Sequence, residues 1–164
     1  MDRLILLRHG KADAEAPSGQ DFDRALTDRG RRDTVLVCRT LALAGVRPDL
    51  ALVSPAARTM QTWQAAEAIF PGAKLEVVPA LYDIAPHELL TLIRNEAGAS
   101  RTVMVVGHNP GLGALAAHLA REAGADVQAL AGLGMGFPTA AAAEIQFDPP
   151  SFALHTPKAL GGGV

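Results

Sequence analysis

Three short stretches hold the residues able to do chemistry. Arg8-His9-Gly10 ends the apolar run in "LILLRHGKA". Ser54-Pro55 ends a second run, with Arg58 one turn further on. Gly107-His108-Asn109-Pro110-Gly111 ends a third, in "RTVMVVGHNPG". A guanidinium is a planar fork that matches two oxygens of a phosphoryl group. A neutral imidazole is a competent nucleophile toward phosphorus, and nearby cations lower its pKa and keep it neutral. A second imidazole can donate to the transferring oxygens, and helix N-termini add orphan amide donors. Phosphoryl transfer is catalysed largely by positioning and charge stabilisation. Two arginines and two histidines at one point would supply both. Alone, each stretch has a plainer reading: a surface turn, a solvated helix arginine, and a good turn sequence. The chemistry depends on whether the fold brings them together.

The intervening sequence predicts how that could happen. "RLILL" (Arg3–Leu7), Leu50–Val53 and Thr102–Val106 are short apolar runs, as expected of strands buried on both faces. "KLEVVP" reads as a further strand, and Ala142–Phe147 as a late one that "FALHTP" continues. Between them lie helical patterns. "LTDRGRRDTVLVCRTLALAG" opens on an N-cap, Thr27, and stops at Gly45. "SPAARTMQTWQAAEAIFPG" has Ser54 as cap and Pro55 at its first position. "APHELLTLIRNEAG" and "GLGALAAHLAREAG" read as two more helices. Ala12–Ala25 is polar, with Pro17 and Gly19, and reads as a loop that either closes over a substrate or stays solvated. Strands alternating with helices imply an α/β fold: a three-layer sandwich with a mostly parallel central sheet flanked by helices. Ligands of such sheets bind beyond the C-terminal strand ends, where all three stretches would then lie. One domain is expected over residues 1–158, with a flexible tail at 159–164 and no repeat or linker.

Composition narrows the alternatives. The 164 residues are 49% hydrophobic with a net charge of −2, so no global field favours nucleic acid or an anionic membrane. Anion binding must come from a local cluster. A lone cysteine, Cys38, gives no intrachain disulfide and no cysteine metal site; among apolar neighbours it reads as core. No segment approaches the roughly 20 apolar residues of a membrane span. The N-terminus does not read as a signal peptide. A cytoplasmic protein is expected, without metal or cofactor. His87, His118 and His155 do not pair at metal-ligand spacings. "AGLGMGFP" (Ala131–Pro138) lacks the strand and helix context of a dinucleotide loop and reads as a flexible connection.

With these motifs in order, the chain resembles the histidine phosphatase superfamily, the phosphoglycerate-mutase-like fold. Within it the chain is most similar to the small SixA-type phosphohistidine phosphatases. "LILLRHGKA", "LTDRGRRD", "PDLALVSPAARTMQT", "LYDIAPHELL" and "VVGHNPGL" carry the resemblance. It implies His9 as a transiently phosphorylated nucleophile, Arg8 and Arg58 on the phosphate, and His108 as the second histidine. It places Arg24 where that branch often has a further phosphate-facing arginine; a solvated loop charge is the alternative. Asn109 would either donate to the pocket or only shape the turn. Lys11 would face the phosphate, a partner or water.

The resemblance also implies a leaving-group acid near "LYDIAP", where Asp83 is the carboxylate. An aspartate is one methylene shorter than the glutamate common in the superfamily, and the SixA-type branch generally lacks a clear acid there. An alkoxide gains much from a proton donor, whereas imidazole leaving from phosphohistidine is far less basic. The implied activity is therefore metal-independent phosphatase action on phosphohistidine in a protein, such as a phosphotransfer domain. A small-molecule phosphomonoesterase and a non-catalytic phosphate-binding module are the alternatives. The resemblance implies a monomer.

Overall fold

The computed structural model describes residues 1–134 and 136–162. In these residues one six-stranded sheet runs in the order β3-β2-β4-β1-β5-β6. The strands are β1 (Arg3–Arg8), β2 (Leu50–Val53), β3 (Lys74–Val77), β4 (Thr102–Gly107), β5 (Ala142–Phe147) and β6 (Pro150–His155). The first four are mutually parallel where they pair; β5 is antiparallel to β1, and β6 to β5. The three-layer α/β sandwich is as expected, but the sheet is mixed rather than mostly parallel. The reason is local. Only Asp148 and Pro149 separate β5 from β6, and Phe147 pairs with Pro150. So short a link reverses the chain, whereas a parallel crossover needs about a dozen residues or more.

Alternation along the strands builds two cores. Leu4 and Leu6 face one side with Leu52, Val103 and Val105, under α3 (Leu89–Ala97) and α4 (Gly111–Glu122). Ile5 and Leu7 face the other side with Ala51, Val53, Met104 and Val106, under α1 (Asp28–Leu43) and α2 (Ala57–Ala66). The four β1 residues Leu4 to Leu7 are wholly buried. Burial of each aliphatic side chain contributes about 2 kcal/mol, so the strand that ends at His9 is anchored from both faces. Cys38 lies in the second core, and burial pushes its thiol up to about 12. A fifth helix, α5 (Val127–Gly134), packs on α4 and β6.

Strand order decides what meets at the sheet edge. Arg8 pairs with Gly107 and Val53 with Val106, in the adjacent strands β1, β4 and β2. His9, His108 and Ser54 therefore leave the sheet side by side.

Some local expectations differ from the structure. Helix α2 starts at Ala57 with Ala56 at its N-cap, so Ser54 is not its cap. Instead the Thr59 hydroxyl lies 2.8 Å from the Ser54 carbonyl, which leaves the serine side chain for another partner. Of the segment expected as a flexible connection, Ala131–Gly134 belongs to α5, and Phe137 is buried; Met135 lies outside the described residues. At the border of the expected tail, Lys158–Leu160 forms a 3-10 turn, and Leu160, the second residue of that tail, packs on the second core. Residues 163 and 164 lie outside the described residues. Among the described residues, no helix is long and apolar enough to cross a membrane.

Candidate active site

The turn after β1 is held from three sides. Gly10 N–H donates to Thr62 Oγ1 at 3.0 Å, and Thr62 Oγ1 in turn lies 2.7 Å from the Arg58 carbonyl, to which it donates. The first turn of α1 presses on the same place. A Cβ at Gly10 would lie 2.5 Å from the Gly30 carbonyl oxygen, and one at Gly30 would collide with the Lys11 carbonyl. Both glycines are thus required by close backbone approach. Thr27 caps α1 by accepting from Gly30 N–H at 3.0 Å, and its hydroxyl donates to the Lys11 carbonyl at 2.8 Å. The residue after the strand therefore has little freedom, and that residue is His9.

His9 is buried, at 6% exposure. Its Nδ1 lies 2.8 Å from the Gly10 carbonyl. A carbonyl oxygen only accepts, so Nδ1 carries the proton and Nε2 keeps the lone pair. Burial pushes the His9 pKa down to about 4; the Gly10 carbonyl opposes this, and the charges of Arg8, Arg58 and Arg24 add to it. The ring of His108 lies 5.5 Å away, centroid to centroid. Its pKa falls to about 3, first through burial and then through Arg58 and His9. His108 Nε2 is 2.7 Å from Ser54 Oγ, and its Nδ1 is buried with no hydrogen-bond partner. Two neutral imidazoles thus sit amid three guanidiniums.

Those guanidiniums are anchored yet incompletely satisfied. Arg8 Nη1 donates to the Phe137 carbonyl at 2.9 Å. Arg58 Nη1 donates to the Asp21 carbonyl at 2.9 Å, and its Nη2 to Asp21 Oδ2 at 3.1 Å. Arg24 Nε lies 3.6 Å from Asp21 Oδ1. The Nε atoms of Arg8, Arg24 and Arg58 are all buried without a hydrogen-bond partner. Buried donors normally find acceptors. Three such N–H groups beside two imidazoles make a cradle for an anion rich in acceptor oxygens, and a phosphoryl group is one.

The other expected residues fall differently. Asn109 spends its amide inside the fold: Nδ2 donates to the Phe137 carbonyl at 2.9 Å and Oδ1 accepts from Gly113 N–H at 3.1 Å. It shares that carbonyl with Arg8, so it ties the turn after β4 to the backbone group that anchors Arg8. Asp83 is exposed and lines a cavity of about 110 Å³ together with His108, Tyr82 and Gly111. The Lys11 side chain is exposed. The loop Ala12–Ala25 is tied at Asp13 N–H to the Ala25 carbonyl, and at Asp21 to Arg58 and Tyr82.

Sequence reasoning missed Asp21, Tyr82, Thr62, Gly30 and the pairing of Ser54 with His108. Thr62 carried a signal, since it lies four residues after Arg58 on one helix face. Asp21 stands three residues before Arg24, a spacing that suits a paired charge. Ser54 and Tyr82 carried none, because their partners, His108 and Asp21, lie 54 and 61 residues away in the chain.

Comparisons with known proteins bear on the family and the fold. The family model described as the histidine phosphatase superfamily (branch 1) matches residues 4–91. An uncharacterised chloroplastic protein of Arabidopsis thaliana is 34% identical over 119 residues; the match takes in 66% of this chain but only 55% of that protein. An uncharacterised protein of Mycobacterium tuberculosis is 32% identical over 141 residues, 85% of this chain and 86% of that one. A solved structure from Agrobacterium tumefaciens, assigned to the phosphohistidine phosphatase SixA, superposes with a TM-score of 0.77 at 34% identity, covering 88% of this chain and 91% of that one. The matched motif ends before His108, yet the fold seats His108 beside His9. The chain belongs to the histidine phosphatase superfamily, and within it is SixA-like.

Proposed function

We propose that the chain is a phosphatase that works through a phosphohistidine at His9, with phosphohistidine on a protein as its substrate. One observation carries the reading: a neutral His9, its proton held on Nδ1 by Gly10, lies among three arginines, of which Arg8 and Arg58 have buried Nε–H groups without a partner and Arg24 has one in a 3.6 Å ion pair with Asp21. The Nε2 lone pair attacks phosphorus. An N–P bond forms as the bond to the leaving atom breaks, and the leaving group takes a proton from solvent. The positive charge that develops on the His9 ring is stabilised by its Nδ1–H bond to the Gly10 carbonyl. Arg8, Arg58 and Arg24 meet the charge on the phosphoryl oxygens. If Ser54 donates its hydroxyl proton to His108 Nε2, His108 Nδ1–H is the remaining donor to those oxygens. Water then attacks phospho-His9: an O–P bond forms, the N–P bond breaks, a proton goes to solvent, and inorganic phosphate leaves a neutral imidazole behind.

Leaving-group chemistry favours a phosphohistidine substrate. Asp83 is the one carboxylate among the residues that line the cavity beside His108, and it is exposed. Imidazole leaving from phosphohistidine is far less basic than an alkoxide and depends less on such an acid. The assignment of the Agrobacterium relative as a phosphohistidine phosphatase supports the same substrate class. Asp83, on the rim of that cavity, is the carboxylate available to protonate a more basic leaving oxygen.

The test is a trapped intermediate. Incubation with a phosphoryl donor and an alkaline quench should leave an acid-labile adduct on His9, absent from His9→Ala. No adduct, together with an active His9→Ala variant, would overturn the covalent mechanism. Turnover of small phosphate esters faster by orders of magnitude than that of a phosphohistidine protein would overturn the substrate assignment.

A further inference from the structure

A carboxylate with no part in the chemistry above sits at the centre of the site's polar contacts. Asp21 begins a 3-10 turn, Asp21–Asp23, in the loop between β1 and α1. Its Oδ2 accepts from Arg58 Nη2 at 3.1 Å and from the Tyr82 hydroxyl at 2.8 Å. Its Oδ1 lies 3.6 Å from Arg24 Nε, and its backbone carbonyl accepts from Arg58 Nη1 at 2.9 Å. Tyr82 in turn sets its ring edge-on to His108 at 5.6 Å and to Phe22 at 5.1 Å.

A carboxylate here has three possible roles: to protonate a leaving group, to compete with the phosphate for Arg58, or to aim Arg58. The guanidinium geometry separates them. An arginine presents two forks, an end-on one from Nη1 and Nη2, and a side-on one from Nε and Nη2. Asp21 occupies the end-on fork with its carbonyl and its carboxylate. Nε, the root of the side-on fork, is buried and has no partner. The two anions therefore use different edges of one guanidinium. We infer that Asp21 is a positioning residue, which grips the end-on fork of Arg58 and so turns its side-on fork to the phosphoryl group, binding the β1–α1 loop and Tyr82 into the same assembly. This rests on the proposed phosphate site.

The other two roles fit less well. The Tyr82 hydroxyl bond, opposed by burial and aided by Arg58, holds the Asp21 carboxyl below its usual range. It is therefore an anion at neutral pH and a poor acid. Repulsion between this carboxylate and a bound phosphate is weakened by water, since the Asp21 side chain is 54% exposed against 9% for Arg58. The direct hydrogen bond to a buried guanidinium outweighs it.

Inorganic phosphate binding by calorimetry, and kcat and KM over phosphate esters of graded leaving-group basicity, test the inference. Asp21→Ala keeps the backbone bond to Arg58 and loses the carboxylate bond, so phosphate should bind about tenfold more weakly. The fall in kcat/KM should be the same for every leaving group. Asp21→Glu should recover part of the loss, and adding Asp21→Ala to Arg58→Ala should cost little beyond Arg58→Ala alone. Tighter phosphate binding by Asp21→Ala would make Asp21 a competitor, and a loss that grows with leaving-group basicity would make it an acid; either overturns the inference. So would fully additive losses. If Arg58→Ala itself leaves phosphate binding intact, the underlying site is wrong, a distinct failure. Circular dichroism of Asp21→Asn, which keeps the shape of the side chain, shows whether any loss comes from unfolding.

Discussion

Acidification from pH 7 should leave His9 and His108 neutral long after an ordinary histidine has charged. Burial is the largest cause for both rings, and the surrounding arginines add to it; the His9 pKa falls to about 4 and that of His108 to about 3, from 6.5. At pH 5 about nine-tenths of His9 is then neutral, against about 3% for a histidine at the ordinary value. The same shift carries a stability consequence. The unfolded chain takes up these protons near pH 6.5 and the folded chain only near 4 and 3, so acid favours unfolding. The contribution is fully present above about pH 6.5 and is lost as the pH falls to the folded pKa values. It is worth about 3 kcal/mol for His9 and about 5 kcal/mol for His108, a sizeable share of the stability of a domain. Ring C–H shifts followed by NMR from pH 7.5 to 5, assigned with His9→Gln and His108→Gln, should show both rings still mostly neutral at the acid end. A midpoint near 6.5 for either ring would refute the reasoning. Arg58→Gln should raise both midpoints only part of the way, since burial is the larger cause; a full return to 6.5 would assign the shift to charge instead.

Three further substitutions probe the supports of the site. Gly10→Ala puts a Cβ 2.5 Å from the Gly30 carbonyl; the turn must move, and the melting temperature and the His9 adduct should both fall, whereas an unchanged variant would mean that α1 does not clamp this turn. Thr62→Val removes the acceptor of Gly10 N–H, at a cost of about 1–3 kcal/mol in chemical denaturation. Its turnover should fall as well, and a stability loss with unchanged kcat would separate Thr62 from the aim of His9. Asp83→Asn should slow esters with basic leaving groups and spare a phosphohistidine substrate; equal effects on both, in parallel kinetics, would remove Asp83 from proton transfer.

The elements that place His9 were legible because their signals are local. Leu4–Leu7 is a run that only a doubly covered strand can bury, and Thr27 is three residues from the amide it caps. Arg8, His9, Arg58 and His108 stood out because charged or reactive groups end apolar runs. Arg24 stood out only by resemblance, and its ion pair with Asp21 links it to the same cluster. The mixed sheet was less legible: the direction of β5 and β6 rests on a two-residue turn at Asp148-Pro149 that reads equally well as a loop. For Asn109 the sequence left two roles open, because its partner, the Phe137 carbonyl, lies 28 residues away.

Sequence alone determined which residues carry charge and reactivity, which segments must be buried, and that the reactive groups fall at strand ends. Those follow from side-chain chemistry and from periodicities of a few residues. Tertiary structure alone decided that β4 inserts between β1 and β2, and so that His108 stands between His9 and Ser54. It also decided that Asp21 reaches across 37 residues to grip Arg58. Strand order and loop docking are set by which distant surfaces bury each other best, and that balance is summed over the whole core rather than written in any one stretch of chain.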